Sequence, residues 1–466
     1  MFFEYPLGNG GREEGRPGMR DETITVVGLG RIGAPMLACF AACGYHVIGL
    51  DLDEGRLDLI REGRAPVPEP ELEDLLRSNR HRITIARDYD AAVRDSGLTF
   101  IAVPTPSRSD GAYSLDHVLA ACARIGDALR RTSDFHVVVV TSTVLPQDLD
   151  TTILPVLEDR SGKRCGRDFG LCYNPEFVAI GKVIRGMVHP DFVLIGESDP
   201  RSGDVLERAH RKVAGDRVPV VRTNFVNAEL AKIAVNAFVT AKISYANMLG
   251  EICERIPGCD VDVVTSAIGL DGRIGSKYLL GGLGYGGPCF PRDNVAFSVM
   301  ARRRGVEATL ADATDAVNRR QVERILERAR SLVRPGARVG VLGLAYTPNT
   351  DVVEESQGLL LAGAMAEAGF RVMVYDPLGL ANARMVLGRT VEYASSAGEC
   401  IDRSHLVLIS TPWEEFKRLE PRRFAHNPRR VVFDCWRILP AEDVGRVADY
   451  VTIGKATEPR SVRSAD

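Results

Sequence analysis

A strand, a glycine turn, a helical stretch and a second strand follow one another near the start of the chain. The first strand reads ITVV from Ile24, and the turn is Gly28-Leu-Gly30-Arg-Ile-Gly33. The second strand, HVIGLD, ends at Asp51, twenty-three residues after Gly28. This order predicts a βαβ unit, because parallel neighbouring strands need a crossover helix between them. The unit indicates an α/β fold built on a parallel sheet.

The same turn predicts a dinucleotide site, with NAD as the cofactor. Glycines allow a tight turn and let a pyrophosphate approach the N-terminus of the following helix. An acid at the end of the second strand can accept a hydrogen bond from a ribose 2′-hydroxyl and repels a 2′-phosphate, which favours NAD over NADP. Asp51 has the alternative role of an ordinary strand-end carboxylate. The predicted cofactor residues of this unit are Gly28, Gly30, Arg31, Ile32, Gly33 and Asp51.

Two further predicted strands end in small hydroxyl residues. Residues 98–103 lead into Pro-Thr-Pro, and residues 136–140 lead into Thr-Ser-Thr. Ligands of open α/β sheets bind outside the carboxyl ends of the strands, so we expect Thr105, Ser142 and Thr143 to line the cofactor site. Each of them has the alternative role of capping the next helix.

Composition excludes several classes of function. The net charge of −3 gives no basic field for nucleic acid, and the apolar runs are too short to cross a bilayer. Ten cysteines without a CxxC pair or a Cys/His ligand spacing disfavour a structural zinc site, and no metal is predicted. They fit a reducing compartment, so we expect a cytoplasmic protein without membrane or nucleic-acid partners.

The opening pattern recurs in the second half of the chain. The strand VGVLGLA begins at Val339, a helix is predicted over 355–369, and the strand RVMVYD ends at Asp376. Its turn lacks the three-glycine spacing, so we expect this second Rossmann-type lobe to bind something other than NAD. The predicted fold class is α/β, with two Rossmann-like doubly wound domains joined by a long central helix.

Five segments are predicted from these patterns. The Gly-, Pro- and charge-rich start of the chain lacks the apolar core of a signal peptide, and the charged end is expected to fray. The segments are a flexible tail (1–22), an NAD-binding Rossmann domain (23–220), a central helical domain (221–325), a C-terminal Rossmann-like domain for a nucleotide sugar (326–455) and a second flexible tail (456–466).

The central helix is predicted over residues 227–255, which are rich in helix formers. Lys232, Asn236 and Asn247 lie within about 60° of one another on its surface. A buried stripe of this kind needs partners, because an isolated buried ammonium is costly. The alternative is a solvated helix edge. We also expect this helix to supply a homodimer surface.

The most distinctive loop is GLGYGGPCFPRD, from Gly282 to Asp293. It places Cys289 in a bend whose glycines permit close backbone approach and whose prolines stiffen the turn. Arg292 and nearby N–H groups would favour the reactive thiolate. The alternative is a buried structural cysteine, since free cysteines are often buried.

These motifs together resemble the UDP-glucose/GDP-mannose dehydrogenase family over residues 23–450. The resemblance is carried by GLGRIG, VPTP, STVLP, NPEF, AELAKIAVNAF, DGRIG and GYGGPCFPRD, which occur in the family's order. It implies NAD-dependent oxidation of the C6 alcohol of a nucleotide sugar to a carboxylate, with NAD in the first Rossmann domain and the nucleotide sugar in the second. An alcohol and an acid differ by four electrons and one nicotinamide accepts two, so two NAD molecules act in turn.

The resemblance also implies roles for individual residues. Cys289 would be the nucleophile that holds the aldehyde as a thiohemiacetal and then as a thioester. Asp293 and Lys232 would act as an acid/base and electrostatic pair, and Asn236 would bind the oxyanion. Glu176 and Thr143 would handle water. The implied substrate residues are Glu176, Phe177, Lys232, Asn236, Arg273, Tyr278, Gly286 and Arg437.

Two departures from the family pattern leave the substrate open. Thr347 and Glu354 replace a lysine and an arginine in AYTPNTDVVEES, so Arg273, Arg292 or Arg437 would have to meet the charge of the diphosphate. UDP-glucose, oxidised to UDP-glucuronate, is the favoured substrate. The alternatives are another nucleotide sugar (a UDP-N-acetylhexosamine or GDP-mannose), a simple two-electron alcohol dehydrogenase, and a non-catalytic nucleotide-sugar-binding homologue.

Overall fold

The computed structural model describes residue 20 and residues 22–456. The chain divides into two compact units, Met1–Ala234 and Val235–Asp466. The two predicted flexible tails lie almost wholly outside the described residues.

Within the described residues, the first unit contains eight strands, eight complete α-helices and the start of a ninth. Its strands are β1 (Thr23–Val27), β2 (His46–Leu50), β3 (Ile83–Ile85), β4 (Leu98–Ile101), β5 (Val137–Val140), β6 (Gly170–Tyr173), β7 (Val193–Glu197) and β8 (Val220–Thr223). Its helices are α1 (Gly33–Ala42), α2 (Glu54–Arg61), α3 (Leu72–Ser78), α4 (Tyr89–Asp95), α5 (Asp116–Leu129), α6 (Leu154–Ser161), α7 (Val183–Val188) and α8 (Pro200–Ala214). A 3₁₀ turn covers Arg80–Arg82, and a π-helical turn, Leu149–Ile153, precedes α6.

The eight strands form one sheet in the order β3-β2-β1-β4-β5-β6-β7-β8. Neighbouring strands are parallel except β6 and β7, which pair antiparallel. The sheet is buried on both faces: α1 contributes Leu37 and Phe40 to one core, and α5 contributes Ile125 to the other. Burial on both faces explains why β5 reads as a continuous apolar run, VVVV, rather than an alternating one.

The long helix α9 (Phe225–Cys253) has 29 residues and contains the boundary between the units. The second unit continues with α10 (Val261–Gly269), α11 (Phe290–Arg303) and α12 (Thr309–Leu332). The last lobe consists of β9 (Arg338–Leu342), α13 (Gln357–Glu367), β10 (Arg371–Tyr375), α14 (Leu380–Leu387), β11 (Glu392–Tyr393), α15 (Ala397–Asp402), β12 (Leu406–Ile409), α16 (Glu414–Lys417), a 3₁₀ turn (Pro421–Phe424), β13 (Val431–Asp434), α17 (Ala441–Val447) and β14 (Asp449–Thr452).

The six strands of this lobe are parallel and lie in the order β11-β10-β9-β12-β13-β14. The predicted fold class is therefore confirmed: two doubly wound sheets and a long helix between them in the chain. Six of the observed strands were not predicted: β3, β6, β7, β8, β11 and β14. No helix within residues 22–456 is both long enough and apolar enough to cross a membrane.

A buried carboxylate closes the turn of the second lobe. Asp376, directly after β10, accepts hydrogen bonds from the backbone N–H groups of Leu344 (2.7 Å) and Ala345 (2.9 Å) and from Nε1 of Trp413 (3.1 Å). Its other oxygen accepts from Leu378 and Gly379. Two backbone N–H groups of the turn after β9 are thus hydrogen-bonded within the protein. This turn is also the one that lacks the three-glycine spacing.

Candidate active site

The glycine turn of the first unit fits a dinucleotide. Gly28 has φ +88°, and a Cβ there would lie 2.6 Å from the carbonyl oxygen of Ala102. A Cβ on Gly33 would lie 1.8 Å from the carbonyl oxygen of Gly28, so the helix can begin this close to the strand only with glycine. A Cβ on Gly30 would meet open space, which is the side from which a pyrophosphate could approach the N-terminus of α1.

Asp51 faces this turn. One carboxylate oxygen accepts a hydrogen bond from the Leu29 N–H (2.6 Å), and the other accepts from the Asp53 N–H (2.8 Å). The side chain is nearly buried, with Arg56 at 3.7 Å. Asp51 therefore shapes the turn directly, and its contact with a ribose remains a prediction.

The hydroxyl residues after β4 and β5 lie at the same sheet edge. The Oγ atom of Ser142 accepts from the Val103 N–H (3.1 Å) and donates to the Val103 carbonyl (2.7 Å), which ties the two strand ends together. Thr105 is buried and Thr143 is partly buried. The bonds of Ser142 run to the neighbouring strand end rather than to a following helix.

Lys232 is buried on α9 and lies beside the NPEF segment. Its Nζ atom donates to the carbonyl oxygen of Glu176 (2.6 Å) and sits 4.9 Å from the centre of the Phe177 ring. The solvated-edge alternative for the polar stripe is wrong, because Lys232, Asn236 and Asn247 are all buried. The ammonium is stabilised by the carbonyl and the aromatic face.

Burial raises the pKa of the Glu176 carboxyl to about 7, against the opposing effect of the Lys232 charge. A carboxyl with this pKa changes protonation near neutral pH, where a general acid or base works best. The first unit thus brings together three predicted residues: Lys232, Glu176 and Phe177.

In the second unit, Cys289 is exposed and immediately precedes α11. The alternative of a buried structural cysteine is therefore wrong. Free N–H groups and the helix dipole favour a thiolate at a helix N-terminus. The bend thus presents a sulfur to solvent at a position suited to its reactive form.

Asp293 lies one helical turn beyond Cys289 and is buried. Its Oδ2 atom accepts a hydrogen bond from Nδ2 of Asn236 (2.6 Å), and its Oδ1 atom lies 3.4 Å from Nε of Arg292. Its own N–H donates to the Cys289 carbonyl (2.8 Å). The second unit thus brings together Cys289, Asp293 and Asn236, and the amide of Asn236 orients the carboxylate.

Residues of the last lobe lie so close to the bend that two of its positions have no room for a side chain. A Cβ on Gly286 would lie 2.2 Å from the carbonyl oxygen of Glu355, and a Cβ on Gly287 would lie 2.5 Å from the Tyr346 ring. The Gly287 N–H donates to the Glu354 carbonyl (3.1 Å). The segment that departs from the family pattern therefore holds the bend through its backbone, while the Glu354 side chain is exposed.

Two asparagines clamp the bend. Asn247 accepts from the Gly282 N–H (2.9 Å) and donates to the Leu283 carbonyl (3.1 Å). Asn318, on α12, accepts from the Tyr285 N–H (2.7 Å) and donates to the Tyr285 carbonyl (3.0 Å). The position of Asn247 on the polar stripe indicated a partner, but nothing in the sequence singled out Asn318.

A buried acid on α9 was also missed. Glu229 accepts hydrogen bonds from the N–H groups of Gln147 (2.8 Å) and Leu149 (2.9 Å), directly after the STVLP segment. Burial raises the pKa of its carboxyl to about 7. A charged residue inside the apolar AELAKIAVNAF run was the signal that could have identified it.

The remaining predicted substrate residues have different surroundings. Arg273 is highly exposed and pairs with Asp271 (2.6 Å). Tyr278 is exposed, has φ +61° and meets the Phe290 ring edge to face. Arg437 is partly buried and bonds Asp262 with two nitrogens (2.7 Å each) and the Gly281 carbonyl (2.6 Å). Its guanidinium thus supports the start of the bend.

No group of three or more His, Cys, Asp or Glu side chains suited to a metal ion occurs in residues 22–456.

Three segments of the chain match the domains of one family. Residues 22–214 match the NAD binding domain of the UDP-glucose/GDP-mannose dehydrogenase family, residues 226–320 match its central domain, and residues 340–441 match its UDP binding domain. The NAD binding domain confirms the predicted cofactor.

Individual proteins similar to this chain carry names from the same family. The chain is 38% identical over 420 residues to a UDP-glucose 6-dehydrogenase of Haloferax volcanii, covering 89% of this chain and 97% of that one. It is 34% identical over 379 residues to a GDP-mannose 6-dehydrogenase of Pseudomonas aeruginosa, covering 80% and 83%. A solved UDP-glucose dehydrogenase from Pyrobaculum islandicum superposes with a TM-score of 0.85 at 34% identity, covering 93% and 98%. The chain therefore belongs to the UDP-glucose/GDP-mannose dehydrogenase family.

Proposed function

We propose that this protein oxidises the C6 alcohol of UDP-glucose to the carboxylate of UDP-glucuronate. The observation that carries the proposal is the exposed thiol of Cys289 at the N-terminus of α11, with a buried, amide-bound carboxylate one turn further on. A two-electron alcohol dehydrogenase needs no such nucleophile. The relatives at 38% and 36% identity that are named UDP-glucose 6-dehydrogenase support the choice of sugar.

Each unit supplies part of the chemistry. Gly28, Gly30 and Gly33 provide the turn that receives the pyrophosphate of NAD, and bound NAD accepts two electrons as a hydride in each oxidation. Asp293 takes the proton of the sugar hydroxyl. The thiolate of Cys289 then adds to the aldehyde carbon, and the resulting thiohemiacetal keeps the aldehyde on the protein until the second oxidation gives a thioester.

Lys232 and Asn236 lie one turn apart on α9, and we assign both to the oxyanion of the tetrahedral species. A buried ammonium and an amide N–H are donors of the kind that stabilise developing negative charge. Glu176 deprotonates the water that hydrolyses the thioester, with Thr143 as a hydrogen-bond partner of that water. Hydrolysis returns Cys289 to its thiolate form.

Stoichiometry and substrate choice test this function. We expect two NADH molecules per UDP-glucose consumed, measured by absorbance together with chromatography of the sugar product. The panel should include GDP-mannose and UDP-N-acetylhexosamines. One NADH per sugar with release of aldehyde would contradict the four-electron mechanism, and binding of the panel without any NADH would support a non-catalytic homologue.

GDP-mannose is the second candidate substrate, favoured by the GDP-mannose 6-dehydrogenase relative at 34% identity. Thr347 and Glu354 stand where the family pattern has a lysine and an arginine. Two positive charges that would face the diphosphate are therefore missing. Activity confined to GDP-mannose in the same panel would replace UDP-glucose in the proposal and leave the roles of the reacting residues unchanged.

The pH dependence of hydrolysis tests Glu176. Its carboxyl has a pKa of about 7 and must be deprotonated to act as a base, so we expect acid formation to rise with pH through a midpoint of about 7. Glu176→Gln should abolish this rise with pH. The thioester should then accumulate on the protein, where intact-protein mass spectrometry after an acid quench can detect it. A pH profile that is unchanged in Glu176→Gln would show that another group is the base.

We further propose a homodimer that forms through α9. Phe238, Tyr245, Met248 and Ile252 are exposed apolar residues on one face of this helix, and Phe238 is 65% exposed. A continuous apolar stripe on a helix is costly in water, and a twofold axis lets the stripe of one copy cover that of another. We also propose a cytoplasmic location, which is supported by ten cysteines without a CxxC pair.

Light scattering tests the dimer. The double variant Phe238→Asp/Met248→Asp should give the mass of one chain, because each carboxylate would be buried in the interface. Met385→Asp is the matched control, since Met385 is an exposed apolar residue on α14, and it should retain the dimer mass. A double variant that remains dimeric would place the interface elsewhere.

A further inference from the structure

Two cysteines outside the residues assigned to the reaction lie in direct contact. Cys253 is the last residue of α9, and Cys259 lies in the turn that leads to α10. Their sulfur atoms are 2.8 Å apart, with the thiol of Cys259 donating to the sulfur of Cys253. A disulfide has a sulfur–sulfur distance of about 2.05 Å. Small side-chain movements are therefore enough to bring the two sulfurs to bonding distance.

The turn between them is fixed at both ends. The N–H groups of Ile256 and Cys259 donate to the carbonyls of Cys253 and Ile256. Asp260 then caps α10 by accepting from the Asp262 N–H, and its carboxylate pairs with Lys455 (2.7 Å). The backbone thus holds the two cysteines six positions apart in a set geometry.

The two sulfurs differ in accessibility. Cys253 is 2% exposed, and burial raises the pKa of its thiol to about 12. Cys259 is partly exposed, and residues 255–258 beside it are exposed. A small oxidant can therefore reach Cys259, while Cys253 is placed behind it as the resolving thiol.

We propose that Cys253 and Cys259 form a reversible redox pair, which closes to an intramolecular disulfide when it meets a low-molecular-weight disulfide such as oxidised glutathione. The Cys259 thiolate attacks one sulfur of the oxidant and releases one small thiolate, which leaves a mixed disulfide. Cys253 loses its proton to solvent and attacks the Cys259 sulfur, which releases the second small thiolate. The protein dithiol loses two electrons and two protons, and the oxidant becomes two thiols.

Closure fastens the end of α9 to the start of α10. A cross-link over a short loop stabilises a protein modestly, mainly by restricting the unfolded chain. We expect the oxidised protein to melt a few degrees higher than the reduced one. Reduction by dithiothreitol should return the melting temperature to its starting value.

Peptide mapping tests the pair directly. Arg255 lies between the two cysteines, so trypsin separates residues 243–255 from residues 256–273. The full chain is equilibrated with oxidised glutathione, its remaining thiols are alkylated with N-ethylmaleimide, and the digest is analysed without reduction. We expect the two peptides to be linked through Cys253 and Cys259, and to separate after reduction.

Two variants complete the test. Cys259→Ser should lose both the linked peptides and the rise in melting temperature, whereas Cys165→Ser, which alters another partly buried cysteine, should retain both. The inference is overturned if Cys253 and Cys259 emerge from oxidation as alkylated thiols or as separate glutathione adducts. Modification of Cys289 is read independently from its own peptide, so failure of the redox pair and failure of the proposed reaction are distinguishable.

Discussion

Cys289→Ala is expected to lower the rate of carboxylate formation by roughly 10⁵-fold, the range seen when a covalent nucleophile is removed from an enzyme. Cys289 is exposed and immediately precedes α11, so the change removes the thiol without leaving a cavity in the core. Without the thiol, the aldehyde has no covalent hold on the protein. The measurement is the rate of UDP-glucuronate formation by chromatography, with NADH followed in parallel.

Cys165→Ser serves as the control, since it alters a partly buried cysteine elsewhere in the chain and should keep full activity. A second readout is covalent: Cys289→Ser should retain the fold but give no thioester adduct by mass spectrometry. The mechanism is wrong if Cys289→Ala makes the acid at the rate of the unmodified protein.

Lys232→Met is expected to lower the rates of both oxidations by roughly 10² to 10³-fold, the effect of removing one strong oxyanion donor. Methionine fills a similar volume, so the loss reflects the missing ammonium rather than an emptied core. The variant should also shift the pH limb of hydrolysis. The Lys232 charge lowers the pKa of Glu176, and its removal should therefore move the midpoint above 7.

This upward shift separates an electrostatic role from a purely structural one. A variant that is only misfolded would lose activity at every pH without moving the midpoint. Lys182→Met is the matched control, because Lys182 is an exposed lysine in the same unit and should change neither rate nor midpoint. A full rate in Lys232→Met would remove this lysine from the mechanism.

The first βαβ unit could be predicted almost residue by residue, because its constraints are local. Gly33 is demanded by a backbone contact within the turn itself, with the carbonyl of Gly28, and the period of the flanking strands is visible over a few residues. The close contact of Gly28 with the Ala102 carbonyl is not local, but its positive φ is typical of such a turn. The second lobe was predicted from the same pattern. Strands β6 and β7 were not predicted, because they pair antiparallel at a point where no turn motif marks the change.

The candidate site was less accessible to sequence reasoning. The roles of Cys289, Asp293 and Lys232 came from the resemblance, and they stay predictions. That Asn236 bonds Asp293, or that Asn318 clamps Tyr285, depends on residues that are 57 and 33 positions apart in the chain. Such pairings are set by how helices pack, which a single sequence does not reveal. The contact of Arg437 with substrate also stays a prediction; in the structure its guanidinium bonds Asp262 and the Gly281 carbonyl.

The carboxylate of Asp376 has a consequence for redesign. It already accepts from the N–H groups of Leu344 and Ala345, so introducing glycines into this turn would not free those two donors for a second cofactor. Replacing Asp376 would free these N–H groups, which would then need new hydrogen-bond acceptors. The two turns thus differ in how far the protein itself bonds their backbone amides: Asp51 accepts from the N–H of Leu29, whereas Asp376 accepts from two turn N–H groups and from Trp413.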